Sequence, residues 1–178
     1  MSESSYSVFN AMADIVASPA KALDEVKSHT AWLWWPLLTS IVVGSGVFIY
    51  YFTWVDFSWL VDETIRQIPP ERRAESADAI RKFMNVNTSS LTTVGAIVVM
   101  SFLIYTIQAA YLHLVNKLTT GAEIGFGQWF SLVVWTSFVS VFGSIAALVV
   151  IFMADSNQLS QADLQPLSLN SLLIHASP

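Results

Sequence analysis

Residues 31–54, with the sequence AWLWWPLLTSIVVGSGVFIYYFTW, contain no Asp, Glu, Lys or Arg. As a helix that rises about 1.5 Å per residue, this stretch is about 36 Å long, which is enough to cross the hydrocarbon core of a bilayer. Trp32, Trp34 and Trp35 lie at one end of the stretch and Trp54 at the other, as aromatic side chains do at the two membrane interfaces. The stretch therefore predicts a first membrane-spanning helix.

Two more stretches without charged residues follow this one. The first is 34 residues long and ends before Lys117, and the second is 31 residues long and follows Glu123. They predict a second span at about 91–115 and a third at about 129–154. The composition agrees, since 54% of the 178 residues are hydrophobic and 12% are charged, against about 25% charged residues in soluble domains. We expect an all-α, polytopic helical membrane protein with three transmembrane helices.

The N-terminal segment, residues 1–30, predicts an amphipathic helix ahead of the first span. At about 100° per residue, its apolar side chains fall on one side and its charged side chains on the other. Ser18-Pro19 predicts a break, after which the helix restarts with Ser18 as N-cap. Such a helix usually packs on a protein core, but a span follows directly, so we expect it to lie in the membrane interface. The apolar side consists of Phe9, Met12, Val16, Pro19, Leu23 and Val26.

The predicted transmembrane bundle, residues 31–154, includes a charged segment at 56–84. This segment holds five of the eight basic residues and is interrupted by Pro69-Pro70, which predicts a helical hairpin outside the membrane. The remaining residues, 155–178, form a polar tail without Lys or Arg. We expect this tail to be a loop interrupted before further spans.

One side of the second span carries polar side chains. Ser101, Tyr105, Gln108 and Asn116 share this side, and His113 lies at its edge. Because an unpaired Gln in hydrocarbon is costly, we expect the polar side to face other helices. One interpretation is a polar pathway or substrate contact. Hydrogen bonding between helices is favoured, because no charged residue joins the set.

The third span carries small residues along one face. Ser137, Ser140 and Ser144 follow one another at helical spacing, and Gly143 lies beside them. Small side chains allow helix backbones to approach closely in a membrane. The pattern predicts a tight helix–helix contact surface.

The loop at 117–128 is rich in glycine, with Gly121, Gly125 and Gly127. A glycine-rich loop binds phosphate in the Gly-Lys-Ser/Thr motif after a strand, and neither the motif nor a predicted strand is present here. The glycines therefore indicate turn geometry.

The sequence lacks the usual patterns of catalysis and metal binding. It has no Cys, and its three His residues lie far apart without metal-ligand spacing. The net charge of −5 and the absence of a basic cluster argue against nucleic-acid binding. We expect a protein that is not an enzyme, with no catalytic, cofactor-binding or metal-binding residues.

The order of these segments resembles the bacterial branch of the Yip (Ypt-interacting protein) domain family. The resemblance rests on IVASPAKALDEV at 15–26, WWPLL at 34–38, the turn at 121–130 before the third span, and LNSLL at 169–173. It implies an all-helical bundle, usually of five spans, with a cytoplasmic N-terminus and a place in the bacterial inner membrane. Eukaryotic relatives associate with Rab-type GTPases and support vesicle traffic, so a GTPase partner is implied by the resemblance alone.

The chain departs from the family pattern because it has three predicted spans. Either it is truncated before further spans, or the family role does not transfer intact. A three-span chain would leave the small-residue surface at Ser137, Ser140 and Gly143 for other helices to cover, which predicts oligomerisation or instability. Our leading hypothesis is a non-enzymatic scaffold or adaptor that binds membrane lipids and either a second copy of itself or other membrane proteins. The alternative is a small-solute or lipid transporter that uses the polar side of the second span.

Overall fold

A computed structural model describes residues 6–168. All the secondary-structure elements within these residues are helices, and they are connected by loops. The prediction of an all-α chain is confirmed. The run LNSLL lies outside the described residues. The helices are α1 (Val8–Ala17), α2 (Pro19–Ser28), α3 (Trp34–Trp54), α4 (Phe57–Arg66), α5 (Pro70–Phe83), α6 (Val86–Thr119), α7 (Phe126–Ser137) and α8 (Val141–Met153), and short 3-10 helices cover Thr30–Leu33, Phe138–Ser140 and Gln161–Leu164.

Three helical runs are long and apolar enough to cross a membrane: Thr30–Trp54, Val86–Thr119 and Phe126–Met153. The second is longer than its predicted span at both ends. It begins early because the Asn85 side chain accepts a hydrogen bond from the Thr88 N–H at 2.9 Å, which satisfies one of the free donors of the first turn.

The third run is interrupted by the 3-10 turn at Phe138–Ser140. Just before it, the Thr136 hydroxyl donates to the carbonyls of Leu132 and Val133 at 2.9 and 3.1 Å. A hydroxyl that bonds back to the preceding turn tends to bend a helix. The break lies where hydropathy alone predicts one continuous helix.

The described residues divide into two compact units. The first unit comprises residues up to Val42 together with Val98–Ser140. The second comprises Val43–Ile97 together with residues from Val141 onward. Each unit is described below by itself.

In the first unit, α1 packs on α2, and α2 packs on α7 and on the 3-10 helix at Thr30–Leu33. The break at Ser18-Pro19 is confirmed, with Ser18 as N-cap and Pro19 as the first residue of α2. Ala11, Ile15, Ala22 and Val26 are buried. Because the break reorients α2, one apolar stripe does not continue across both helices. Val26 of the predicted interfacial set therefore lies in the protein core, while Phe9 and Val16 are exposed.

Polar contacts hold the α1–α2 pair together. The Asp14 carboxylate lies 2.8 Å from the Lys21 ammonium and accepts a hydrogen bond from the Tyr6 hydroxyl at 3.0 Å. Lys21, and then Tyr6, lower the pKa of Asp14 below its usual value. Burial, and then the bond to Asp14, raise the pKa of Tyr6 to about 12.

The second unit has an apolar core beside the end of α3. Tyr51, Phe52, Leu60, Ile151 and Leu164 are buried in it, so α3, α4, α8 and the tail all contribute. The Tyr51 hydroxyl donates to the Leu159 carbonyl at 2.7 Å, and the Asp56 N–H donates to the Asn157 carbonyl at 2.8 Å. Residues 155–168 are thereby held against α3 and the start of α4.

The predicted hairpin at 56–84 consists of α4 and α5. The Arg73 guanidinium donates to the carbonyls of Arg66 and Ile68 at 2.8 and 3.1 Å, which satisfies the C-terminal end of α4. Arg81 pairs with Asp62 at 2.8 Å. These side chains fix the hairpin, because α5 has no buried residue of its own.

Tyr51→Phe is expected to lower the free energy of unfolding by about 1–2 kcal/mol, since the partly buried Leu159 carbonyl loses its donor. Thermal unfolding of the full chain in detergent measures the loss. Tyr50→Phe is the matched control, because Tyr50 is exposed and keeps its ring contact with Phe152. Equal stability of the two variants would contradict the role of the Tyr51 bond.

Acid is expected to loosen the α1–α2 pair. The pKa of Asp14 is lower in the folded chain than in the unfolded chain, so its stabilising effect is complete above the usual Asp pKa and is lost as pH falls through the lowered value. Hydrogen exchange of residues 8–28 in the wild type and in Asp14→Asn measures this effect. The variant is expected to exchange faster at pH 7, and the difference is expected to shrink as pH falls. A constant difference would rule out the carboxylate as the cause.

Candidate functional site

A cavity of about 410 Å³ that is widely open to the surface lies where α6 ends and α7 begins, within the first unit. Its size falls in the range of about 300–1,000 Å³ that is usual for small-molecule sites. Both charged and polar side chains face it. The lining residues are His113, Asn116, Lys117, Gly121, Ala122, Glu123, Ile124 and Gly125.

Asn116 organises the loop around the cavity. This side chain is 7% exposed, and its Nδ2 donates to the Ala122 carbonyl at 2.7 Å. Its Oδ1 accepts from the Thr120 hydroxyl at 2.7 Å, and its backbone carbonyl accepts from the Gly121 N–H at 2.8 Å. A buried amide with both ends satisfied gives the loop one defined conformation.

Two glycines of this loop have different geometric roles. Gly121 has φ of +62°, a left-handed conformation that other residues adopt at a cost. Gly125 is the N-cap of α7, and its N–H donates to the Gln128 side chain at 2.9 Å. Turn geometry accounts for Gly121, and helix initiation accounts for Gly125.

His113 lines the cavity. Its Nδ1 is buried without a hydrogen-bond partner in the described chain, although each imidazole nitrogen is a donor or an acceptor. Lys117 and Glu123 are exposed and line the same cavity. The cavity therefore presents a cation and an anion, which together suit a polar, charged ligand.

The structure brings together two of the five polar residues predicted on the second span. His113 and Asn116 both line the cavity. Ser101 and Tyr105 lie earlier on α6 and are partly buried, while Gln108 is exposed. In the sequence, Lys117 and Glu123 mark only the limits of charge-free stretches, and no pattern along the chain indicates that they share a cavity with His113.

The small-residue surface on the third span is largely open. Ser137 is partly buried and Ser140 is exposed, and a Cβ placed on Gly143 would meet nothing within 4 Å. Ser144 has a close neighbour, since its hydroxyl lies 3.9 Å from the position of a Cβ on Gly44 of α3. A close approach between helices is thus present at Ser144.

The predicted interfacial residues occupy different environments. Trp34 and Trp35 are about half exposed, and the ring of Phe9 lies 5.5 Å from that of Trp35. Trp32 stacks on His29 at 4.2 Å. Among the others, Met12 and Leu23 are partly buried, and Trp54 packs on the core of the second unit. The exposed rings of Phe9 and Trp35 thus form one apolar surface, and the Trp34 ring is exposed beside them in sequence.

Within residues 6–168, no three His, Cys, Asp or Glu side chains are placed to hold a metal ion.

Comparison with known protein families assigns the chain to one of them. The sequence profile of the Yip1 domain matches residues 13–176. The chain belongs to the Yip1 domain family. None of the curated proteins and none of the solved structures compared matches it. The family-level resemblance found in the sequence is confirmed.

The match to the Yip1 domain begins within α1 and continues past α8. The α1–α2 pair, the hairpin and the cavity between α6 and α7 are therefore parts of the Yip1 domain itself. The three long apolar helical runs of the chain agree with membership of a family of helical membrane proteins.

Asn116→Ala is expected to destabilise the loop by about 1–3 kcal/mol, because the Ala122 carbonyl loses its donor and the Thr120 hydroxyl loses the shorter of its two bonds to Asn116. Hydrogen exchange of residues 118–126 and thermal unfolding measure the effect. Asn87→Ala is the matched control on the exposed surface of the same helix, with an expected change below about 0.5 kcal/mol. Equal exchange in the two variants would contradict the role of Asn116.

Proposed function

We propose that this Yip1 domain protein is a non-enzymatic membrane scaffold or adaptor, which binds lipids and assembles with a second copy or with other membrane proteins. We assign it to the bacterial branch of the family and to the inner membrane, with a cytoplasmic N-terminus. The observation that carries the proposal is the exposure of Gln108 in the middle of α6. Of the 34 residues of this helix, two, Ala109 and Asn116, are buried in the described chain.

Gln108 needs a partner in the membrane. Its amide has donors and acceptors that hydrocarbon cannot satisfy, and the side chain is exposed. A helix from another chain that brings a polar group to this side of α6 removes the cost. The polar set that includes Ser101 and Tyr105 is therefore proposed as an assembly surface, which favours a scaffold over a transporter.

A second open surface supports assembly. Ser140 is exposed, and Gly143 has free space around it. Small residues that no helix covers allow another helix to approach closely. The predicted contact surface of the third span is thus proposed as a place for helices of another chain.

The N-terminal helices are proposed to lie at the membrane surface, on the side where the loop between α6 and α7 emerges. The first and second spans cross the membrane twice, so residues 1–30 and this loop share one side. The packing of α2 on α7 supports this arrangement. The exposed rings of Phe9, Trp34 and Trp35 suit the interface between water and hydrocarbon. In this arrangement the interfacial segment is residues 1–30, the transmembrane bundle is residues 31–154, and the polar tail is residues 155–178.

Partners and chemistry follow from the family in this proposal. Yip1 family membership suggests association with a Rab-type GTPase, and we propose a GTPase as a candidate partner on that ground alone. The family is not known as enzymatic, and the described residues hold a cavity whose side chains suit binding. We therefore propose a role in organising membrane and protein rather than in catalysis.

Gln108→Leu is expected to weaken self-association about three- to twentyfold, the worth of one hydrogen bond between helices in a membrane. Energy transfer between labelled full-length chains in liposomes measures association. Thr106→Val is the control, since Thr106 is also exposed but lies about 200° away around the helix.

Three results test the proposal separately. Equal association of wild type, Gln108→Leu and Thr106→Val would contradict the assembly surface. A wild-type chain that stays monomeric at every protein-to-lipid ratio would contradict the second copy as partner. If the wild type and Gln108→Leu co-purify with the same amounts of other membrane proteins, the adaptor role of this surface is contradicted.

A further inference from the structure

Two opposite charges line the cavity between α6 and α7 without neutralising each other. Within residues 6–168, the ion pairs are Lys21–Asp14, Lys27–Asp24, Arg66–Glu63 and Arg81–Asp62, so neither Lys117 nor Glu123 is paired there. Both line the same cavity. A cavity that separates a cation from an anion is complementary to a ligand that carries both charges.

The charge distribution along the chain places this cavity at the edge of the membrane. Lys117 is the first charged residue after 34 uncharged ones, and Glu123 is the last one before 31 uncharged ones. Phospholipid head groups occupy this level of a bilayer. The commonest groups there with both charges are phosphodiesters that carry an ammonium group.

His113 lies beside Lys117 in the cavity lining. His113 precedes Lys117 by one helical turn, so the two side chains lie on the same side of α6. The His113 Nδ1 atom is buried, so the exposed Lys117 ammonium is the donor for an anion on this side of the cavity.

The loop that carries Glu123 is already fixed before a ligand binds. The bonds of Asn116 to Ala122 and to Thr120, both 2.7 Å long, hold the residues just before Glu123. The left-handed Gly121 turns the chain back over the end of α6. A preorganised site loses little conformational entropy on binding.

Exposed apolar side chains adjoin the charged groups. Leu114 and Leu118 on the last turns of α6 are exposed, and so is Ile124 in the cavity lining. A soluble head group would leave these side chains in contact with water. The acyl chains of a lipid would cover them, so the surroundings favour a lipid over a free phosphodiester.

We propose that this cavity binds the head group of a phospholipid with a primary ammonium group, as in phosphatidylethanolamine. The Lys117 ammonium donates to the phosphodiester oxygens, and the Glu123 carboxylate accepts from the lipid ammonium. A trimethylated ammonium has no N–H to donate, so the choline head group is the poorer ligand. The inference rests on the proposed membrane placement of the chain and is independent of its self-association.

Native mass spectrometry of the full chain in detergent, titrated with single lipids of identical acyl chains, tests this proposal. The wild type is expected to bind phosphatidylethanolamine about three- to tenfold more tightly than phosphatidylcholine or phosphatidylglycerol. Glycerophosphoethanolamine, which lacks acyl chains, is the probe for a soluble ligand.

Charge variants locate the site. Glu123→Gln is expected to abolish the preference for phosphatidylethanolamine over phosphatidylcholine, and Glu123→Asp is expected to retain it. Lys117→Gln is expected to weaken the binding of both lipids about three- to tenfold. Lys82→Gln, at the other end of the same charge-free stretch, and Glu71→Gln, on the exposed surface of α5, are the matched controls and are expected to bind like the wild type.

Each outcome decides one point. Equal wild-type affinity for the three lipids, or unchanged selectivity in Glu123→Gln, overturns the proposal. If glycerophosphoethanolamine binds as tightly as phosphatidylethanolamine, the proposal that the ligand is a lipid is overturned. Loss of lipid selectivity in Glu123→Gln together with wild-type self-association supports the site and separates it from the assembly surface around Gln108.

Discussion

Hydrocarbon offers no hydrogen-bond partners, so a chain that crosses a bilayer must satisfy its backbone polar groups internally. This constraint underlies the three long apolar helical runs of this protein, which begin and end near its charged residues. It also makes each exposed polar side chain within a run significant. Gln108 is such a side chain, and the same constraint that shapes α6 favours a partner helix beside it.

Away from the spans, single polar side chains decide how the connecting segments fold. Asn116 holds the loop between α6 and α7 through bonds from both ends of its amide. Tyr51 holds the tail through one bond to the Leu159 carbonyl, and Arg73 closes the turn between α4 and α5. In each case a side chain on a helix satisfies polar groups of a neighbouring loop or turn, which restricts that segment to one conformation.

The charged cavity and the exposed polar side of α6 are proposed to serve different interactions. Lys117 and Glu123 lie at the ends of charge-free stretches, where head groups are available as ligands. Gln108 lies within the uncharged stretch, where other helices are available. The proposed scaffold role thus places a site suited to lipid and a site suited to protein on the same helix.

The sequence by itself determined the helical class, the three spans and the break at Ser18-Pro19, because charge, hydropathy and proline geometry act locally along the chain. It also carried the family, through short segments before the first span and around the third. Only the tertiary structure decided that Val26 is buried against protein, that residues 155–168 return to Tyr51, and that Lys117, His113 and Glu123 share one cavity. These features depend on side chains that meet across loops and between helices. No periodicity along the chain encodes the distances between such side chains, so they became visible only when the chain was folded.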